Sequence, residues 1–205
     1  MGKKLLSGLI LALMLMLPPK QANTASKRIV LTQENLEKRI FEYWQERIDT
    51  PREASYFLQN IRYVSDYPID DWKSCIRTLD NWEGDCEDES ICAAGLLKDN
   101  GYTPLILVMS QNKIVNGEII EYNGGASHAV FIYKEHSKFK YIDRINHPSK
   151  GFNTVEELVK SFKKNYKSYN LINFDELGID WTNYKGNLKN KVANYLEGFS
   201  LIAEN

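Results

Sequence analysis

Cys86 stands where a reactive thiol would be made. It follows Trp82-Glu83-Gly84-Asp85 and opens the segment Asp85 to Asn100, in which Ile91, Ala94, Gly95 and Leu97 keep one face apolar or small and Gly101 supplies a C-terminal stop. A sulfur in the first turn of that helix meets free backbone N–H groups and the positive end of the helix dipole, which favour a thiolate and therefore a nucleophile. Asp85, Glu87, Asp88 and Glu89 oppose this, because their charge raises the thiol pKa unless they point away or bind a cation. An imidazolium partner would supply the difference.

Three histidines compete for that role. His136 lies in Lys134-Glu135-His136-Ser137-Lys138, a polar stretch that reads as a hairpin turn, and His147 precedes Pro148 in a polar loop; both read as solvated surface groups. His128 begins the apolar run His128-Ala129-Val130-Phe131-Ile132-Tyr133 just beyond Gly124-Gly125, so sheet packing would hold it at a strand end, as a catalytic base or as a structural histidine. A two-residue turn at His136-Ser137 sets Val130 opposite Asp143 and leaves Asp143 diagonal to His128 on one face. Diagonal neighbours lie about 7–8 Å apart, within reach of a carboxylate that fixes the imidazole tautomer. A slip of one residue would send Asp143 to the opposite face, where its alternative is a surface ion pair with Arg144.

The elements that must carry these groups follow from capping signals and periodicity. Thr32 begins a segment with Leu36, Ile40, Trp44 and Ile48 at helical spacing, and Thr50-Pro51-Arg52-Glu53 combines a cap, a first-turn proline and a capping-box glutamate. After the Cys86 helix, Pro104 to Met109 reads as a buried strand, Ala126 to Tyr133 and Phe139 to Asp143 as a hairpin, and Thr154-Val155-Glu156-Glu157 as another helix start. Helices followed by an antiparallel sheet argue for an α+β fold in one domain, residues 26–205.

Together these residues carry a resemblance. Gly84-Asp85-Cys86-Glu87-Asp88 opening a helix, then Ser127-His128-Ala129-Val130, then Tyr141-Ile142-Asp143, with spacings of 42 and 15 residues, resembles the core of the transglutaminase-like superfamily, bacterial transglutaminase-like cysteine proteinases included. Asn60-Ile61-Arg62-Tyr63-Val64-Ser65-Asp66, Asp71-Trp72 and Thr78-Leu79 look like the lead-in segment, so the resemblance covers about residues 58–145. It departs at Ser74-Cys75-Ile76, where such proteins often have a proline after the Trp, and it leaves residues 150–205 without a counterpart.

The resemblance implies a papain-like α+β fold with the nucleophile helix packed on the sheet, and a Cys86-His128-Asp143 triad in an exported thiol hydrolase of peptide or amide bonds. The oxyanion would be met by the Cys86 backbone N–H and one upstream side-chain donor, Tyr63 or, in reserve, Trp72. The thioester partitions: water makes a peptidase or amidase, and an acceptor amine makes a protein-glutamine transamidase. A non-enzymatic cell-surface binding module on the same fold is the third reading. No cofactor is required for such a triad. Asp85, Glu87 and Asp88 supply hard oxygen ligands for Ca²⁺, as the resemblance permits, or else merely satisfy the helix dipole. A zinc site on the triad residues has no CxxC or HExxH spacing behind it.

Composition bounds the rest. The 205 residues carry 26 basic and 27 acidic side chains, which gives no electrostatic case for nucleic acid, and 43% hydrophobic residues make the chain too apolar for disorder. Lys3 and Lys4 before the run Leu5 to Leu17, then Pro18-Pro19, read as a signal peptide over residues 1–25, with an uncleaved anchor as the alternative. That run makes roughly 20 Å of helix, short of the ~30 Å hydrocarbon core. Its removal discards Lys3, Lys4 and Lys20 and leaves 23 basic against 27 acidic residues, a mature net charge of −4. The expected partner is a protein or peptide substrate, cell-surface and cell-wall material included, in an exported location. Of three cysteines, Cys86 is the odd thiol; Cys75 and Cys92 either pair or sit as core thiols.

Overall fold

The computed structural model describes residues 32–66, 69–115, 118–121, 127–144, 150–162, 166–196 and 200–202. These belong to one unit, Thr32–Asn205. The expected signal segment lies outside the described residues, as does His147.

Local chemistry sets the first elements. The Thr32 hydroxyl accepts from the Asn35 N–H at 3.3 Å and starts α1 (Gln33–Gln45). At α2 (Pro51–Leu58) the capping box closes in both directions: Thr50 Oγ1 accepts from the Glu53 N–H at 3.3 Å, and Glu53 Oε2 accepts from the Thr50 N–H at 3.0 Å. The chain then enters β1 (Arg62–Tyr63), and α3 (Cys75–Asn81) follows, capped by the Ser74 hydroxyl on the Arg77 N–H. Trp82 ends α3 in the left-handed region, φ 52°, and turns the chain into β2 (Glu83–Gly84), which pairs in parallel with β1. That short pair carries the lead-in residue Tyr63 to the start of α4 (Cys86–Leu97), opposite Gly84.

Helix α4 differs from the one-faced helix expected from sequence. Every residue from Asp88 to Leu97 is buried, because α1, α2 and α3 cover one side of the helix and strands cover the other. A helix surrounded by protein shows no polar stripe, and its acids are buried with it. It tightens into a 3-10 turn at Lys98–Asn100 and stops at Gly101, φ 82°.

The sheet follows. The chain forms β3 (Leu105–Ser110), a separate hairpin of β4 (Lys113–Val115) and β5 (Glu118–Glu121), and then β6 (Ser127–Glu135) and β7 (Lys138–Ile142). After α5 (Val155–Lys160) come β8 (Ser168–Asn173), α6 (Lys189–Leu196) and β9 (Ser200–Leu201). The large sheet has the order β7-β6-β3-β8-β9 and is antiparallel throughout. Glu135 pairs with Lys138 and Phe131 with Ile142 across a His136-Ser137 turn, the register expected from sequence. Both turn residues have positive φ, 49° and 63°, as a two-residue hairpin turn demands.

Alternation divides the core between the two sheet faces. Ile106, Val108, Ala129, Phe131, Ile142 and Ile172 pack with the helices α1 to α4. Leu107, Met109, Val130 and Ile132 point the other way and are covered by Leu158 and Val159 of α5 and by Tyr166. The segment beyond residue 150, without a counterpart in the sequence resemblance, therefore closes the second face and supplies β8 beside the central strand β3. It also grips the lead-in: the Leu188 N–H donates to the Trp72 carbonyl at 2.9 Å, and the Trp72 N–H donates to Asn187 Oδ1 at 3.1 Å.

Candidate active site

Gly84 makes the start of α4 possible. A Cβ at that position would come within 2.6 Å of the Asp88 Cβ, and Asp88 must lie there because its carboxylate folds back to accept from the Asp85 N–H. With the turn so closed, Cys86 occupies the first helical position and is half-buried. Its thiol donates to Glu87 Oε2 at 2.8 Å, and it shares a small cleft with Ala129 of β6. Burial pushes this thiol well up, the Glu87 charge and hydrogen bond push it further, and the Ala129 N–H opposes them. The resting group is a thiol, because Glu87 does not point away.

His128 is the residue before Ala129, which lines that cleft together with Cys86. His128 Nε2 is 3.1 Å from Asp143 Oδ1. The pairing is the diagonal one that the hairpin register requires: Phe131 opposite Ile142 brings Asp143, the next residue after β7, to the face of His128. The imidazole also meets the Phe162 ring edge-on, centroids 6.0 Å apart. An ionised carboxylate only accepts, so Nε2 carries the proton toward Asp143 and Nδ1 presents a lone pair. His136 sits in the hairpin turn, away from this arrangement.

Arg144 leaves Asp143 to His128. Its guanidinium donates to Glu89 Oε1 at 2.6 Å and to the Ile61 carbonyl at 3.0 Å, its own carbonyl accepts from the Ser55 hydroxyl at 3.2 Å, and it lies 5.4 Å from the Tyr63 ring centroid. Glu89 is one turn after Cys86 on α4, so this ion pair ties the end of β7 to the helix that carries Cys86. Burial pushes Glu89 up to about 8 against the pull of Arg144. Cys86, Glu89, Ser90, Ala129, Asp143 and Arg144 line a small cleft.

The two aromatic donors expected from sequence differ. Tyr63 is 51% exposed at the rim, and burial of part of the ring together with the charges of Cys86, Asp85, Glu87 and Glu89 pushes its phenol up. Trp72 is 3% exposed and its indole N–H already donates to Asp70 Oδ1 at 2.8 Å.

The acids also sort differently from their order in the chain. Asp66, Asp85 and Asp88 each bring a carboxylate oxygen within 4.8 Å of the others, whereas Glu87 is on the thiol. Lys73 stands among them, 2.6 Å from Asp88 and 3.6 Å from Asp66. Burial raises the Asp85 carboxyl and brings Asp88 to about 6 and Glu87 to about 8. The donors are hard oxygens, and Asp66, Asp85 and Asp88 surround one ammonium, so the set suits Ca²⁺ in chemistry.

Asp66 and Lys73 were not singled out for this cluster by sequence, nor were Phe162 and the Glu89–Arg144 pair for the site. The only available signal for Asp66 was its place in the lead-in motif. Cys75 and Cys92 are buried free thiols, with Cys75 Sγ 3.5 Å from the Cys92 carbonyl oxygen.

No family model matches the chain, and no curated protein matches it. Solved structures do. The chain is similar to Legionella pneumophila LapG at 16% identity over 72% of this chain and 84% of that one, with a TM-score of 0.45. The EGTA-treated form of LapG aligns at 15% identity over 73% and 82%, TM-score 0.44, and the calcium-bound form at 14% over 84% and 87%, TM-score 0.42. Identities and TM-scores of this size leave the chemistry to be argued from the residues of this chain.

Proposed function

We propose that the protein is an exported thiol hydrolase that cleaves a peptide or amide bond through Cys86, His128 and Asp143. One observation carries this reading: His128 Nε2 is 3.1 Å from Asp143 Oδ1, and Asp143 lines one small cleft with Cys86. In this mechanism His128 Nδ1 takes the thiol proton, and the thiolate attacks the carbonyl carbon, forming a C–S bond as the C=O π pair moves to oxygen. The Cys86 N–H at the open end of α4 faces the resulting oxyanion. Collapse breaks the C–N bond, His128 returns its proton to the departing amine, and water, deprotonated by the same imidazole, cleaves the thioester. Asp143 holds the ring and stabilises the imidazolium.

Asp85, Glu87 and Asp88, joined by Asp66, would hold Ca²⁺. Bound there, the ion would supply positive charge that lowers the cost of a Cys86 thiolate, and Glu87, as one of its ligands, would no longer hold the thiol. Export rests on Lys3, Lys4 and the apolar run Leu5 to Leu17; no helix among the described residues is long and apolar enough to cross a membrane.

The test is substrate profiling of peptides and cell-wall material with wild type against Cys86→Ala. Products made by wild type and absent from the variant are expected; equal profiles overturn the assignment. Iodoacetamide supplies a substrate-free check, because labelling of Cys86 should be rapid and pH-dependent and should become sluggish in His128→Ala. Chelation should abolish activity, and Ca²⁺ but not Mg²⁺ should restore it. Activity indifferent to chelator removes the metal from the mechanism.

A further inference from the structure

Arg144 takes a left-handed backbone conformation, φ 39°, directly after Asp143. Its Cβ crowds the backbone in that region, so glycine or asparagine would adopt the turn at lower cost. A strained residue of this kind persists where its surroundings over-determine it, and here they act from three sides. The guanidinium donates to Glu89 Oε1 on α4 at 2.6 Å and to the Ile61 carbonyl, just ahead of β1, at 3.0 Å; the Arg144 carbonyl accepts from the Ser55 hydroxyl of α2 at 3.2 Å. Glu89 and Ser55 are buried, so these anchors belong to the core and do not follow the turn if it moves. The turn also lies at the site: Arg144 lines the cleft that holds Cys86 and Asp143. An ion pair that only stabilised the fold would need neither the strained φ nor that place.

What the clamp holds is the residue before it. The β6–β7 pairing ends at Phe131–Ile142, one residue short of Asp143. Register alone leaves Asp143 diagonal to His128, about 7–8 Å away, a separation at which a small change of backbone direction breaks the side-chain contact. The 3.1 Å between His128 Nε2 and Asp143 Oδ1 therefore depends on the direction in which the chain leaves β7, and the Arg144 turn sets that direction. We propose that Arg144 is a positioning residue: by clamping the left-handed turn after β7 to Glu89 and to the Ile61 carbonyl, it holds the Asp143 carboxylate on His128 and fixes both relative to the helix that carries Cys86. The inference rests on the triad reading above. Arg144 exchanges no proton and touches no reacting atom; it acts through Asp143.

The experiment measures alkylation of Cys86 by iodoacetamide, read cysteine by cysteine by peptide mass spectrometry. Cys75 and Cys92 are buried, so their labelling reports unfolded molecules and is subtracted. Arg144→Met should slow Cys86 labelling about tenfold, since misplacing an oriented group by about 1 Å can cost up to about 10²-fold. In an Asp143→Ala background the same substitution should change the rate by less than about twofold, as expected for two residues that act as one unit. Arg144→Met combined with Glu89→Gln strands no buried carboxylate; its melting temperature should recover, it replaces Arg144→Met in the comparison if that variant fails to fold, and its Cys86 should still label slowly. A wild-type rate in Arg144→Met, losses that multiply with Asp143→Ala, or a rate that recovers together with the melting temperature overturns the positioning role. Failure of the underlying reading looks different: His128→Ala and Asp143→Ala then label Cys86 at the wild-type rate.

Discussion

At the scale of single residues, the site is a contest between a helix start that favours a thiolate and side chains that oppose one. Burial and Glu87 win in the resting protein and push the Cys86 thiol up. Glu87, at about 8, is charged above that pH; Glu87→Gln removes the charge and keeps the shape, so the thiol pKa should fall and alkylation by iodoacetamide at pH 9 should accelerate on the order of tenfold, since about 1.4 kcal/mol corresponds to one pKa unit. A rate unchanged or slower would mean that Glu87 helps to generate the thiolate. His128 is the counterpart case, because its neighbour in space, Asp143, was legible from the hairpin turn alone. The neighbour of Cys86 was not, since Glu87 could turn its side chain to the thiol, to the Asp85 carboxylate or to solvent without any change in sequence pattern.

At the scale of elements, the Glu89–Arg144 pair joins α4 to the end of β7, and the Arg144–Ile61 bond adds the segment that leads into β1. Glu89 is 4% exposed in its side chain, so removing its partner strands a buried carboxylate. Arg144→Met should cost about 3 kcal/mol in urea unfolding, and the double variant with Glu89→Gln should recover part of that loss. Purely additive losses would show that the two side chains do not interact in solution. The caps of α1 and α2 and the β6–β7 register were legible because each depends on hydrogen bonds among a few consecutive residues. The all-round burial of α4 was not, because it depends on which elements close over it.

For the molecule as a whole, the buried acids set the direction of pH dependence. Asp88 at about 6 and Glu87 and Glu89 at about 8 lie above their ordinary values of 3.8 and 4.5, so the folded protein binds these protons more tightly than the unfolded chain does. Their contribution is complete below about pH 4 and is lost as pH rises through 6 to 8. Asp71, lowered by Arg77, and Glu37, lowered by Lys185, act in the opposite sense, and their stabilisation is lost as pH falls below about 4. The melting temperature, measured with chelator present, should therefore decline from about pH 5 to pH 8. A rise over that interval would mean that these acids are ionised in the folded protein and held by cations.

By itself the sequence determined an α+β chain with Cys86 at a helix start and His128 and Asp143 on one face of a hairpin. Caps, a two-residue turn and the alternation of strand side chains act over short distances and admit few alternatives. The tertiary structure decided what meets these groups: Glu87 on the thiol, Asp66 and Lys73 among the acids, Arg144 on Glu89 rather than Asp143, and Phe162 against His128. It also decided that residues beyond 150 form the second wall of the core and bring Tyr166 into it. Those pairings join residues far apart in the chain, and no periodicity records them, because they are selected by packing and charge only once the sheet has closed.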